Sequence, residues 1–261
     1  MNGLGEIKCS ARRRPLLGGV VSGLLALLAV LAPTAQAAAP KAASLERRVT
    51  QLEAMHEIQN LLGYYEEYQW ALDFEQVVPL FALGAADVRW EVGPGAYVGA
   101  DAVKAVLMAQ QKHPDNPQWF AIHHGEMHVH TLATPIIVIA GDGKTAKASF
   151  DSPGIETLAG ATHKPDARWG WCKYGVDLLR TEDGWKIWHM HVYGILFSPF
   201  DKSWVEAPGF PSVPSATDVG GEWPAPTRPQ SDNWIYSGND IPPLLPRPPV
   251  PYRTFSETFS Y

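Results

Sequence analysis

Cysteine is almost absent from this 261-residue chain: Cys9 and Cys172 are the only two. Cys9 falls in a stretch read below as a removable leader, so Cys172 would stand alone and no disulfide could form within one mature chain. Positive charge is also scarce. The net charge is −6, and residues 1–37 hold Lys8, Arg12, Arg13 and Arg14 against Glu6, so removing them takes it to −9. Phosphate-backbone binding needs clustered Lys and Arg, which argues against a nucleic-acid partner. The apolar stretch 16–32 has 17 residues, three of them glycine, and is short for a membrane span. The chain lacks a nucleotide-binding glycine fingerprint, a phosphate loop, a Gly-x-Ser-x-Gly elbow and a Cys-x-x-Cys pair. Oxidoreductase, kinase and serine-hydrolase chemistries lose support accordingly.

What is present begins with an export signal. A basic region, Arg12-Arg13-Arg14, precedes the apolar stretch, and Ala35-Gln36-Ala37 supplies a small-x-small cleavage pattern. Cleavage is expected after Ala37, giving a signal peptide over 1–37 and a periplasmic or secreted protein with no stable membrane span. Both the Sec and twin-arginine routes stay open, and an uncleaved anchor is the alternative. The remaining 224 residues suffice for one domain with an extension.

Residues 38–206 read as that domain. Leu45, Val49 and Leu52, then Ile58, Leu61, Leu62, Tyr65 and Tyr68, recur at helical spacing and predict helix to about Ala71. Asp73 is expected to cap a second helix, Phe74–Leu83, and Asp101 a third, Ala102–Lys112. Val88–Val92 reads as a strand, and Gly93-Pro94-Gly95 as a turn. Strand patterns then dominate: Ile122–Leu132, Ile136–Ala140, Lys144–Phe150, Trp169–Arg180 and Trp185–Phe197, the last two joined by a turn at Thr181–Gly184. Helices first and a bent antiparallel sheet afterwards predict an α+β fold. Residues 207–261 are rich in proline yet also carry Trp, Tyr and Phe. An arm packed on its own domain or a neighbouring subunit is expected, with a loose linker as the alternative.

Histidines concentrate in the strand region. His128-x-His130 and His189-x-His191 each place two imidazoles on one strand face. Three readings remain open: a zinc or copper site, a proton-transfer pocket, or hydrogen-bonded core and surface residues. Lys173 shares a strand face with Trp171, Gly175 and Asp177. On a concave face it would be a partly desolvated proton donor, with Arg168, Glu91 or Asp177 as partners; on an outward face it would be solvated. Cys172, on the other face, reads as a packed small hydrophobe.

The element order, together with Ile58-x-x-Leu61-Leu62-x-x-Tyr65, Asp73-Phe74, Leu80-Phe81, His123-His124 and Asp183-Gly184-Trp185-Lys186-Ile187-Trp188, resembles the SnoaL-like branch of the nuclear transport factor 2-like superfamily. The resemblance covers about residues 50–205. It implies a cone-shaped roll of N-terminal helices on a bent sheet enclosing a deep pocket. Scytalone dehydratase, polyketide cyclases, ketosteroid isomerase and a lignin diarylpropane formaldehyde lyase share that fold. By this resemblance the chain would be a lyase without a cofactor, acting on a phenolic or lignin-derived aromatic compound by dehydration or retro-aldol loss of formaldehyde. A homodimer or homotrimer is expected. Tyr65, His124, Lys173 and His191 are the candidate catalytic residues, and Trp70, Trp90, Trp171, His128 and His189 the candidate substrate contacts; no metal ligand is assigned. One departure stands out: Gln69-Trp70 occupies the place of the Tyr-Asp pair of dehydratase-like members, so that pair's role does not carry over. A non-catalytic exported binding protein and a His-ligated metal enzyme are the competing readings.

Overall fold

A computed structural model describes residues 45–93, 95–160, 163–209, 224–230, 232 and 234–261. Residues 1–37, where a leader is expected, lie outside them. No helix of the described residues is long and apolar enough to cross a membrane.

Helix α1 (Leu45–Trp70) runs 26 residues and buries Ala54, Ile58, Leu62 and Tyr65. These positions are three or four apart, so their side chains form one stripe facing the core. Leu45, Val49 and Leu52 lie on the same helix but stay exposed, because nothing among the described residues packs over its first turns. Helix α2 (Phe74–Val77) is far shorter than the expected Phe74–Leu83: a 3-10 turn over Val78–Leu80, carrying Pro79, follows it directly. Asp73 does not cap it. Its carboxylate lies 3.6 Å from the Lys112 ammonium, and the Glu75 amide donates instead to Gln111 Oε1 at 2.8 Å. A side chain 36 residues away thus does what a local cap was expected to do.

Strands β1 (Arg89–Val92) and β2 (Gly95–Val98) form a hairpin, β2 being a strand the sequence reading lacked. Helix α3 (Ala100–Met108) starts one residue before Asp101, with Gly99 at the cap in a positive-φ conformation. Helix α4 (Pro117–His123) occupies ground expected to begin a strand. Asn116 accepts from the amides of Gln118 and Trp119 at 2.9 and 3.2 Å, and Pro117 sits in the first turn. That Asn-Pro pair starts a helix whose own hydrogen bonds override the alternation read from Ile122 onward. The strand itself, β3 (Met127–His130), begins four residues later.

Then come β4 (Ala133–Ile139) and three long strands, β5 (Thr145–Gly160), β6 (His163–Thr181) and β7 (Gly184–Pro199). The sheet order is β2-β1-β7-β6-β5-β3, with β4 also paired to β5. Every pairing is antiparallel except β1 with β7. Register shifts in β5–β6–β7 let the long strands bend. The result is a mixed α+β domain with a curved, unclosed seven-stranded sheet. Its concave face presents Ala146, Ala148, Phe150, Tyr174, Val176 and Leu178 to the helices, and this interface is the core.

The described residues of the C-terminal arm lie against the domain. Ala96 pairs with Arg228, Tyr97 Oη donates to Pro224 O at 3.1 Å, and the Gly141 and Asp142 amides donate to Tyr252 and Arg253 carbonyls. Proline leaves no long helix or strand among the described arm residues, only a 3-10 turn over Phe255–Glu257, yet the backbone still finds partners on strand edges and turns.

Candidate active site

Strand alternation assembles the site. His128 and His130 are two apart on β3, so both point to the concave side. The β3–β5 register sets His128 against Glu156 and His130 against Gly154. Glu156 then reaches both imidazoles: Oε1 lies 2.8 Å from His130 Nε2, and Oε2 lies 3.5 Å from His128 Nδ1. Gly154 makes this possible, because a Cβ there would stand 2.5 Å from His130 Nδ1.

Burial acts to raise the Glu156 carboxyl, but hydrogen bonds from the two histidines and their charges outweigh it and hold it at about 2. For His128, burial opposes the charged form, while the hydrogen bond and charge of Glu156, with help from Glu126, win and raise its pKa. The three groups form an ionised carboxylate clamped between two imidazoles.

Facing them is a cavity of about 140 Å³. Helix α1 contributes Tyr65 and Gln69, one turn apart, and the sheet contributes Trp90, Cys172 and Tyr174. Trp90 Nε1 donates to Tyr65 Oη at 3.1 Å, leaving the Tyr65 proton to point elsewhere. Burial pushes the Tyr65 and Tyr174 phenols up, so both stay neutral donors. Glu66, beside Tyr65 on α1, has its carboxyl raised to about 8 by burial, against a weaker opposing hydrogen bond from Tyr174. Burial likewise raises the Cys172 thiol, which makes it a poor nucleophile. Glu66 Oε1, Gln69 Oε1, His130 Nδ1 and Ser152 Oγ are buried without a hydrogen-bond partner among the described residues, which is rare for native interiors.

A family model for the SnoaL-like domain matches residues 50–191. The chain belongs to the SnoaL-like domain family. The matched span holds every side chain just described, from Tyr65 to Tyr174. No curated protein matches the chain. Among solved structures it is similar to a Novosphingobium aromaticivorans protein provisionally assigned as a scytalone dehydratase, with 15% identity, 60% of this chain and 93% of that one covered, and a TM-score of 0.47. A type 3 hexachlorocyclohexane dehydrochlorinase from Novosphingobium barchaimii shows 15% identity, coverage of 60% and 96%, and a TM-score of 0.46. A third, provisionally an aromatic ring hydroxylase of Novosphingobium aromaticivorans, shows 19% identity, coverage of 57% and 94%, and a TM-score of 0.43. Similarities this distant assign no reaction.

Of the residues singled out on sequence, this SnoaL-like domain brings Tyr65, Trp90 and His128 to the cavity. The others lie elsewhere. His124 ends α4, exposed, with Nδ1 turned to the Phe120 and Ala121 carbonyls of its own helix. Trp70 is half-exposed as the last residue of α1. Lys173, Trp171, His189 and His191 are on the opposite, convex face of the sheet. The β6–β7 register pairs Lys173 with Tyr193, Gly175 with His191 and Asp177 with His189. Lys173 is 40% exposed and pairs with Asp151 at 3.0 Å, not with Arg168, Glu91 or Asp177. Trp171 lies in an outer apolar groove with Trp169 and Trp204. His189 and His191 are buried, but under the arm: His189 Nδ1 is 2.9 Å from Asp177, and His191 stacks on Tyr193. Among the described residues no group of three or more His, Cys, Asp or Glu side chains is arranged to hold a metal ion.

Sequence reasoning passed over Glu156, Glu66 and Tyr174, and it noted His130 without assigning it a role. A signal existed for Glu156. It is a lone acid in an otherwise uncharged strand segment, Ser152–Leu158, flanked by Gly154, and such a residue needs a buried partner.

Proposed function

We propose that this cavity is the active site of a cofactor-independent lyase that removes a small leaving group, water or formaldehyde, from a phenolic aromatic substrate. The observation that carries the reading is His128, held by Glu156 at the wall of an aromatic-lined cavity. Its raised pKa supplies a proton donor near neutral pH, and the same nitrogen becomes a base once it has donated.

The steps balance on that one residue. The His128 imidazolium gives its proton to the benzylic hydroxyl, the carbon–oxygen bond breaks, and water departs. The para-phenol ring takes up the electron deficiency as a protonated quinone methide, next to the Glu156 carboxylate. Neutral His128 then removes a proton from the adjacent carbon, giving the alkene and restoring the imidazolium. Where that carbon bears a hydroxymethyl group, His128 removes its hydroxyl proton instead, and the carbon–carbon bond breaks to release formaldehyde. Tyr65 hydrogen-bonds the phenol oxygen and fixes the ring. Glu156 is a positioning residue acting through His128. In this reading His124, Lys173 and His191 do not touch substrate. The reaction takes place after export, as the leader in residues 1–37 suggests.

The test is turnover of the purified chain on a para-hydroxyphenyl carbinol, with vinylphenol absorbance and free formaldehyde followed together, with and without a chelator. Product formation that is unaffected by chelator and lost in His128→Gln is the expected result. Full turnover by His128→Gln would overturn the assignment. Loss of activity with chelator would transfer the histidines to a metal ion, and binding without product would make the protein a carrier.

A further inference from the structure

The cavity is small for an enzyme of aromatic compounds. Its volume of about 140 Å³ is near the roughly 150 Å³ of an engineered protein cavity that takes up one benzene molecule. It is well short of the ~300 Å³ at which pockets for drug-sized ligands begin. One six-membered ring fills it. The walls suit such a ring: Tyr65 and Tyr174 meet edge to face with centroids 6.5 Å apart, and Trp90 is held beside them by its bond to Tyr65.

The charges around this space are already matched. No Lys or Arg lines it among the described residues. The Glu156 carboxylate has one imidazole on each oxygen, so the positive charge of this wall is committed. Behind Tyr174, Glu66 is kept neutral by burial, and a second anion nearby would only hold it so. A carboxylated or phosphorylated ligand would therefore meet only the His128 imidazolium, whose charge Glu156 already offsets, and no Lys or Arg to repay its lost water.

The polar atoms lacking partners point the same way. Two residues that line the cavity carry such atoms: Gln69 Oε1 is a buried acceptor without a donor, and His130 Nδ1 is buried with no partner among the described residues. A ligand hydroxyl both donates and accepts, and so can meet either need, which a carboxylate cannot.

We infer that the cavity selects an uncharged, single-ring substrate bearing at least one hydroxyl group and discriminates against its carboxylated and two-ring counterparts. This rests on the cavity being the substrate site, as proposed above, though not on the reaction. The experiment is calorimetric titration of the whole chain with para-cresol, para-toluate and para-phenylphenol. Para-cresol is expected to bind at one site per chain. Para-toluate, which exchanges the hydroxyl for a carboxylate, and para-phenylphenol, which adds a rigid second ring, should each bind about tenfold or more weakly. Gln69→Leu, checked for folding by circular dichroism, should weaken para-cresol about fivefold, the loss of one hydrogen bond. Para-toluate or para-phenylphenol binding as tightly as para-cresol would overturn the inference, as would no binding of para-cresol or an unchanged affinity in Gln69→Leu. The two proposals fail separately: a preference for para-cresol without turnover sinks the lyase, whereas turnover with no such preference sinks the substrate class.

Discussion

On the convex face of β5–β7, Asp177 accepts from Lys147, His189, the Ser260 hydroxyl and the Tyr261 amide. The Lys147 ammonium also lies within 5.0 Å of the ring centroids of Phe255, Phe259 and Tyr261. On the concave face of the same sheet, Glu156 has two imidazoles, and Gln69 Oε1 and His130 Nδ1 in the cavity wall are left without partners among the described residues. Both clusters are buried and both combine a carboxylate with histidine. They differ in what covers them. The arm supplies two further donors to Asp177 Oδ2, the Ser260 hydroxyl and the Tyr261 amide, and fills the volume above it, so that cluster is spent on holding the arm in place. Above Glu156 there is a cavity, and the unused hydrogen-bonding capacity is open to a ligand. Burial and unusual ionisation alone therefore do not mark a site; unsatisfied groups beside open space do.

Several substitutions would break or sharpen this contrast. The largest effect is expected from Asp177→Ala, which leaves Lys147 buried without its counter-charge. It should cost about 3–5 kcal/mol in denaturant unfolding, while the folded fraction turns over normally. Next comes Glu156→Gln, which should lower kcat about 100-fold and, because the fold holds this carboxyl well below its ordinary pKa, cost on the order of 1–3 kcal/mol of stability at neutral pH. Because the carboxylate is what raises the His128 pKa, the limb of the pH–rate profile belonging to His128 should also move to lower pH. A merely structural role for Glu156 would leave that limb in place.

Gly175→Ala tests how tightly the arm is seated. A Cβ at Gly175 would run into the Tyr261 ring, and the overpacking should cost about 1–3 kcal/mol. Thermal unfolding together with limited proteolysis of the arm would show it. Glu66 provides a pH test on the concave side. Its carboxyl is raised from 4.5 to about 8 in the fold. Below pH 4.5 it is protonated in both states. Between 4.5 and 8 the unfolded chain ionises while the folded one does not, so stability falls as pH rises through that window. Glu66→Gln should remove that fall and stabilise the protein by on the order of 1–3 kcal/mol at pH 8. The smallest effect is expected for Lys173→Ala. Its exposed pair with Asp151 contributes less than about 0.5 kcal/mol, and turnover should be unchanged.

The α+β class, the long first helix and the β6–β7 hairpin were legible because each rests on periodicity over ten residues or more. The boundaries at Asp73 and Asn116 were not. The cap of α2 comes from Gln111, far along the chain, and α4 is too short for a periodic signal to show against the alternation that follows it. The site was legible in part. Tyr65 and His128 came from pattern and resemblance, whereas the strand pattern left the face of Lys173 and His191 undecided, and both lie on the side away from the cavity. Period-two alternation says which residues share a face, not which face the helices cover.

The sequence by itself determined which side chains travel together: His128 with His130, Lys173 with Asp177, His189 with His191. Backbone geometry fixes that within each strand. Only the tertiary structure decided which set faces the cavity and which is sealed under the arm. That choice depends on where α1 and the described residues of the arm pack, hence on apolar surface contributed by segments distant in the chain. The pairing of Glu156 with both histidines has the same origin: it follows from the register of β3 on β5, across 26 residues of chain, which no local pattern encodes.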